Sequence, residues 1–254
     1  MILPLHALRV FGNLADLGSL RYGLGMPTKV AGAGELTVAV QDYAKAIYVL
    51  ESRAGVASTN ALAERLRVRP GSVSGMLRKL DALGLVVHER YRGVRLTKSG
   101  RRVALEVLRH HRLLELYLAE SLGMGWDEVD AEADRLEHVI SEELEGAIAA
   151  RLGHPLVDPH GDPIPSVGLQ IEEGETQSLQ VLVPGQRGTF TRVSDSDPAM
   201  LRFLAERGIA LGDRFEVVDK QPFDGPVFVR FAGEVEVLGG DLARAMRVTL
   251  DAEA

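Results

Sequence analysis

Residues 59–83 read TNALAERLRVRPGSVSGMLRKLDAL, and this stretch predicts two short helices joined by a tight turn. Ser58 or Thr59 can cap the first helix, because a side-chain oxygen at that position accepts a free amide hydrogen of the first turn. Pro70 marks the start of the second helix by fixing φ, and Gly84 marks its end. Apolar residues recur at helical spacing and predict a buried face of Val73, Met76, Leu77, Leu80 and Leu83.

The segment after these helices predicts a wing. Residues 85–96 read as two strands joined by a turn, and Thr97 then caps a long helix. This order of elements is typical of a winged helix-turn-helix, whose second helix enters the DNA major groove, although a helical pair can also serve only as core. Small residues let that helix approach base edges, and cations reach phosphates. The predicted DNA-contacting residues are Arg69, Pro70, Ser72, Ser74, Gly75, Arg78, Lys79, Arg90 and Arg92.

Charge is divided unevenly along the chain, although the whole carries a formal net charge of −7. Residues 59–102 contain eleven Lys or Arg against three acids, whereas residues 115–151 contain eleven acids against two arginines. The positive charge of the first segment suits binding to nucleic acid, and the negative charge of the second suits binding of a cation. The absence of cysteine excludes a disulfide framework, a thiolate metal site and a cysteine nucleophile. We expect a cytoplasmic protein, because the N-terminal apolar run is too broken for a signal peptide or a membrane span.

The acidic segment contains the sequence DAEADRLEH at residues 130–138. At helical period Asp130, Asp134, Glu137 and His138 share one face, because they lie at i, i+4, i+7 and i+8. Three carboxylates on one face repel one another unless a positive charge lies between them. Two interpretations stay open, a solvated acidic surface and a divalent-cation site with carboxylate and imidazole ligands.

Further candidate ligands lie on two other predicted helices. A helix over residues 37–52 carries Asp42 off its apolar stripe, where an aspartate usually only favours the helix dipole. A long helix over residues 99–122 carries His111 and Glu115 at i, i+4, a spacing that serves either an ion or a surface contact. The acidic helix is predicted to continue to Ile148, which leaves a candidate dimer surface formed by Val139, Ile140 and Leu144.

The predicted fold is mainly α with a small β domain. Residues 1–34 are expected to be a poorly ordered extension, and residues 35–103 a winged-helix DNA-binding domain. Residues 104–152 form a helical domain, and residues 153–177 a proline-rich linker in which His154 and His160 are expected to be solvated. In residues 178–254, apolar and polar residues alternate as they do along strands, which predicts an SH3-like barrel of about five strands. The first of these strands is predicted over residues 179–183.

Several short motifs resemble those of the diphtheria-toxin-repressor family of metal-dependent transcriptional regulators. In the first two domains the resemblance rests on AERL at residues 63–66 before SVS at 72–74, GLV at 84–86, HRL at 111–113 and EHV at 137–139. The stretches VPGQRG at residues 183–188 and FDGPV at 223–227 are similar to the small barrel of ferrous-iron-transport accessory proteins. The resemblance as a whole covers about residues 37–250.

The resemblance implies two sets of metal ligands. The primary set is Asp42, Asp134, Glu137 and His138. The ancillary set is His111, Glu115 and Asp130, with Asp195 or Asp197 as weaker candidates from the barrel. Acids at 42 and 134, where the iron-responsive branch places sulfur, imply the manganese-responsive ligand type. Lys45 stands where that branch has a glutamate, which favours two separated sites over a paired one.

The implied function is a homodimeric repressor that binds a palindromic DNA operator when loaded with Mn²⁺, with Fe²⁺ next in order. We expect no enzymatic activity, no organic cofactor and no membrane partner. The sequence leaves two alternatives open. One is a winged-helix regulator answering to a small organic ligand, and the other is a metallohydrolase using His111, Glu115 and His138. The hydrolase is disfavoured because no nucleophile–base pair or phosphate-binding loop is found in the sequence.

Overall fold

A computed structural model describes residues 36–89 and 92–251 of the chain. The expectation for residues 1–34 and the predicted DNA contact of Arg90 lie outside the described residues. Within the described ranges, no helix is both long enough and apolar enough to cross a membrane.

The first domain is a winged helix-turn-helix, as predicted. It consists of α1 (Val38–Ala54), α2 (Thr59–Arg65), α3 (Pro70–Ala82) and a hairpin of β1 (Val86–Glu89) with β2 (Gly93–Leu96).

Local signals account for the two central helices of this domain. Ser58 caps α2 by accepting from the backbone N–H of Ala61 at 3.2 Å, and Pro70 occupies the first turn of α3. Leu62 and Leu80 are fully buried between the helices, and each buried side chain of this size stabilises the fold by about 1.5–3 kcal/mol. Leu83 is 45% exposed, contrary to prediction, because α3 ends before it.

The second domain contains α4 (Lys98–Leu122), α5 (Val129–Leu136) and α6 (Glu142–Arg151). The predicted continuous acidic helix is wrong, because α5 ends at Leu136 and a turn over residues 137–139 follows it. Ser141 starts α6 by accepting from the N–H of Leu144 at 3.2 Å, and acids in the first turn favour this new helix N-terminus.

The proline-rich segment after α6 is packed along α4. The guanidinium of Arg109 donates to the carbonyl of Pro165 at 2.6 Å, and that of Arg112 donates to the carbonyl of Pro163 at 2.5 Å. Ile164 between them is buried in the helical core. This segment therefore has a defined path, which places its polar side chains.

The third domain is a six-stranded antiparallel sheet in the order β3-β8-β4-β5-β6-β7. Residues 179–181 form a 3-10 turn, so the strand predicted over 179–183 is wrong. The elements are β3 (Gln177–Ser178), β4 (Arg187–Val193), α7 (Pro198–Glu206), β5 (Arg214–Lys220), β6 (Val227–Phe231), β7 (Glu234–Leu238), α8 (Gly240–Ala245) and β8 (Met246–Leu250).

The barrel contacts the proline-rich segment and the α4–α5 loop through polar pairs. Arg192 lies 2.8 Å from Asp162, and Arg202 lies 3.1 Å from Asp127. The N–H of Val193 donates to the carbonyl of His160 at 2.9 Å. These contacts hold one end of β4 beside the helical domain.

Candidate metal centre

The packing of α1 against α4 decides where the polar side of α1 lies. Ala44 and Tyr48 of α1 are buried against Ala104, Leu105 and Leu108 of α4. Small residues on both helices allow this close approach. The polar face of α1 is thereby brought to the turn that follows α5.

Three side chains meet at this contact and form what we call the junction cluster: Asp42, Glu137 and His138. His138 Nε2 lies 2.8 Å from Asp42 Oδ1 and 3.3 Å from Glu137 Oε1. All three offer ligand atoms within 4.8 Å of one another. His138 Nδ1 donates to Gln41 Oε1 at 2.8 Å, which leaves Nε2 as the free ligand atom. The second hydrogen bond thus orients the imidazole towards the two acids.

The electrostatics of the junction cluster suit a cation. Burial raises the pKa of Asp42, and the neighbouring His138 only partly offsets this. Glu137 Oε1 is buried, and within the described part of the chain it has no hydrogen-bond partner. An unpartnered buried carboxylate oxygen is costly, and a bound cation would satisfy it.

Asp134, predicted beside Asp42, faces Lys45 instead. The Lys45 ammonium lies 2.7 Å from Asp134 Oδ1 and 2.8 Å from Glu137 Oε2. Burial lowers the pKa of Lys45, but the charges of Glu137 and Asp134 more than offset this, so the pKa stays above its ordinary value. A side chain of the protein thus supplies the positive charge that these acids require.

His111 lies between two groups of acids. Its Nδ1 is 2.6 Å from Glu137 Oε2, while its Nε2 is 3.4 Å from Asp130 Oδ1 and 3.5 Å from Glu115 Oε1. Burial lowers the pKa of His111, but the charge of Glu115 and hydrogen bonds to the acids raise it well above its ordinary value.

The acids beyond His111 form a second group, which we call the inner cluster. It combines two sets of ligand atoms that share Glu115: one is His111, Glu115, Asp130 and Asp195, and the other is Glu115, Asp158 and His160. Asp195 reaches the cluster from the barrel, and burial together with the charge of Glu115 raises its pKa. Asp197 lies apart from it, because its side chain accepts from the N–H of Ala199 and caps α7.

His160 is fully buried, so the expectation that it is solvated is wrong. Its Nε2 lies 2.7 Å from the carbonyl of Trp126, and because a carbonyl can only accept, Nε2 carries the hydrogen. The other ring nitrogen, Nδ1, faces Glu115 Oε1 at 3.5 Å. Among the described residues neither atom has a hydrogen-bond partner, although both are buried. A cation bound between these two atoms would satisfy both of them.

The proline-rich segment holds His160 in this position. Asp158 Oδ1 accepts from the N–H groups of His160 and Asp162 at 2.8 and 2.9 Å. Gly161 has φ +85°, and a Cβ there would lie 2.1 Å from the carbonyl oxygen of Thr191. Only glycine permits this approach to the barrel. In the sequence, this site is indicated only by Asp158 and His160 on either side of Pro159. The proline-rich composition instead predicts a linker, in which a histidine would be solvated.

Both clusters fit a divalent cation of intermediate hardness. Their donors are carboxylate oxygens and imidazole nitrogens, a set that suits Mn²⁺ or Fe²⁺ and lacks sulfur. The buried acids of the inner cluster also repel one another. Burial and the charges of Glu115 and Asp162 raise the pKa of Asp158 well above its ordinary value.

The predicted DNA-contacting residues in the described part of the chain lie on the surface of the first domain. Ser72, Arg78, Lys79 and Arg92 are exposed, and so are Arg69 and Pro70 at the start of α3. Ser74 and Gly75 are partly exposed. The face of α3 is thus free of the protein core and bears two cations.

Family comparisons agree with this architecture. Residues 35–94 match the iron-dependent repressor N-terminal DNA-binding domain, and residues 97–166 match the iron-dependent repressor metal-binding and dimerisation domain. Residues 177–250 match the FeoA domain. The relatives named below are transcriptional repressors, not enzymes.

Curated relatives include the diphtheria toxin repressor of Corynebacterium diphtheriae, which is 30% identical over 233 residues. That match covers 84% of this chain and 98% of the relative. The iron-dependent repressor IdeR of Mycobacterium tuberculosis is 37% identical over 133 residues, which is 52% of this chain and 58% of IdeR. For IdeR, the chain therefore matches little more than half of the relative.

Solved structures include a manganese-dependent transcriptional repressor in complex with manganese, with a TM-score of 0.78 and 41% identity. The comparison covers 83% of this chain and 99% of that one. The IdeR of T. acidophilum has a TM-score of 0.70 and 30% identity, with 83% and 97% covered. With three consecutive domain matches and full-length relatives, the chain belongs to the diphtheria-toxin-repressor family of metal-dependent transcriptional regulators.

Proposed function

We propose that this protein is a Mn²⁺-dependent repressor that binds a palindromic DNA operator as a homodimer, with Fe²⁺ as the next candidate metal. The observation that carries the proposal is the contact between Asp42 Oδ1 and His138 Nε2 at 2.8 Å. Asp42 belongs to the first helix of the winged domain, and His138 belongs to the second domain. Ligands for one ion thus come from both domains.

The junction cluster would hold one ion through Asp42, Glu137 and His138. When bound, a divalent cation supplies the charge that lets these acids remain together. Asp42 then fixes α1, and with it the recognition helix α3, relative to the second domain. A ligand that binds one domain arrangement better shifts the population towards it. Repression follows if that arrangement places two α3 helices at successive half-sites.

The inner cluster would hold a second ion. His160 is oriented for this role by the hydrogen bond of its Nε2 to Trp126, and Glu115 faces it from α4. His111, Asp130, Asp158 and Asp195 supply further donors. Because Asp195 lies in the barrel, an ion here would link the third domain to the second.

The assignment of Mn²⁺ rests on ligand chemistry. Oxygen and nitrogen donors lower the preference for soft ions, and carboxylates suit Mn²⁺ in particular. Relatives named for iron and for manganese both occur, so the ligand set is the argument for manganese over iron. We assign Asp134 as an ion-pair partner of Lys45 and not as a ligand of the metal ion.

The homodimer would use the surface between α5 and α6. Val139 is 77% exposed and Leu144 is 52% exposed, as expected for an apolar surface that another chain covers. Ile140, predicted with them, packs partly against the core of its own domain. We therefore propose Val139 and Leu144 as the dimer contacts on this face.

The proposal is tested by thermal unfolding and operator binding with and without metal. In EDTA the protein should not retard a DNA fragment from the region upstream of its own gene, and Mn²⁺ should restore binding. An ion present at 100 times its Kd stabilises the folded state by about 2.7 kcal/mol, on the order of 5–10 °C in Tm for a chain of this size. Zn²⁺, Mg²⁺ and anaerobic Fe²⁺ serve as comparisons. Operator binding that is equally strong with and without EDTA would refute the proposal.

Arg78 provides a separate test of the DNA surface. Arg78→Ala should weaken binding to all DNA sequences and reduce the slope of log K against log salt by about 0.9, because one phosphate contact is lost. Arg187→Ala, which removes an exposed arginine of the barrel, is the matched control and should leave the slope unchanged. An unchanged slope for Arg78→Ala would exclude α3 as the element that contacts phosphate.

A further inference from the structure

A third group of metal-type ligands lies beside the junction cluster and contains an ammonium. Asp134, Glu137 and His111 offer ligand atoms within 4.8 Å of one another. The Lys45 Nζ lies among them, at 2.7 Å from Asp134 Oδ1, 2.8 Å from Glu137 Oε2 and 3.4 Å from His111 Nδ1. The Lys45 side chain is only 14% exposed. The Lys45 ammonium is thus surrounded by atoms that could bind a metal ion, as a bound metal ion would be.

We propose that Lys45 is an internal cation that occupies this third position and thereby limits the junction cluster to one metal ion. The inference rests on the proposed function. The two oxygens of Glu137 divide between the positions, since Oε1 faces His138 and Oε2 faces Lys45. A metal at the junction cluster would share this carboxylate with the ammonium. A second divalent ion cannot enter, because the side chain is tethered to α1 and repels it.

Lys45 also joins the two domains when no metal is bound. It belongs to α1, and its partners belong to α5 and the turn after it. Removing one partner of a buried charge pair leaves the other charges uncompensated, which strongly destabilises a fold. The ammonium therefore holds Asp134 and Glu137 beside α1 in the metal-free protein, and an ion at the junction cluster would add Asp42 and His138 to this contact.

The experiment counts Mn²⁺ bound per protomer by equilibrium dialysis with elemental analysis. Wild-type protein should bind two ions, one at each cluster. Lys45→Gln removes the charge and should bind one further ion. Two Mn²⁺ ions that share the Glu137 carboxylate are magnetically coupled, so the EPR intensity per bound ion should fall in this variant alone. Lys45→Arg keeps the charge, and Lys98→Gln removes an exposed lysine of α4. Both controls should bind as wild type does.

The outcomes separate this inference from the proposed function. Wild-type protein that binds no Mn²⁺ refutes the proposed function, and the inference with it. If wild type binds two ions and Lys45→Gln also binds two without magnetic coupling, only the inference is overturned. Lys45→Glu covers the case in which Lys45→Gln does not fold. It places a third acid among the partners, so it should unfold in EDTA and refold with Mn²⁺, and wild-type stability in EDTA would overturn the inference.

Discussion

Asp42→Ala is expected to abolish Mn²⁺-dependent operator binding while the protein remains folded. Asp42 supplies the ligand of the junction cluster that comes from the winged domain, and its side chain is 38% exposed, so little packing is lost. Loss of a group that only orients a metal ligand already costs 10–100-fold in metal affinity, and loss of a ligand should cost at least about as much. The measurements are Mn²⁺ affinity by calorimetry and operator binding by fluorescence anisotropy.

The control for this variant is Asp219→Ala, which removes an exposed aspartate of the barrel. It should behave as wild type in both measurements. Asp42→Ala should also keep its Tm in EDTA within a few degrees of wild type, because exposed substitutions usually change stability by less than about 0.5 kcal/mol. Full metal-dependent operator binding by Asp42→Ala would refute the proposal that one metal ion is bound by ligands from both domains.

His160→Phe is expected to remove one Mn²⁺ per protomer and the part of the metal-induced rise in Tm that the inner cluster provides. Phenylalanine keeps the volume of the ring and its stacking on Trp126, whose centroid lies 6.3 Å away. It has no Nδ1 to bind an ion, and it leaves the carbonyl of Trp126 without its donor, which costs about 1–3 kcal/mol. With Mn²⁺ at 100 times its Kd, the stabilisation free energy lost in this variant should be about 2.7 kcal/mol.

The matched control lies in the same proline-rich segment. His154 is exposed and has φ +57°, a conformation that asparagine tolerates, so His154→Asn should bind two ions and unfold as wild type does. Glu115→Gln offers a second route, since it removes the charge that faces His160 Nδ1. If His160→Phe binds two Mn²⁺ ions with wild-type affinity, His160 is not a ligand, and any ion at the inner cluster is held by His111, Glu115, Asp130 and Asp195 alone.

The two predictions address different contacts between domains. An ion at the junction cluster would connect the winged domain with the helical domain, while an ion at the inner cluster would connect the helical domain with the barrel. His111 lies between them, with one ring nitrogen on Glu137 and the other near Glu115. His111 therefore contacts one carboxylate of each cluster and is the side chain that connects them.

Local signals made the winged domain predictable. Ser58, Pro70 and Thr97 act within three or four residues of their own position, and each indicates a helix start. Alternation likewise predicts most of the barrel strands, but not residues 179–181, which form a 3-10 turn. Ser141 is an equally local signal, and without it the prediction extends one helix across what are in fact two. Glu137 and His138 consequently lie on a turn, where they can face α1.

Local residue patterns are enough to predict the fold class, and the family motifs indicate which acids and histidines are candidate ligands. Which of these side chains meet depends on tertiary packing. His138 and Gln41 are 97 residues apart, and Lys45 and Glu137 are 92 apart. These contacts depend on how α1 packs on α4 and on the path of the proline-rich segment. No periodicity encodes such distances, so the charge of Lys45 among the acids and the burial of His160 emerged only from the packed chain.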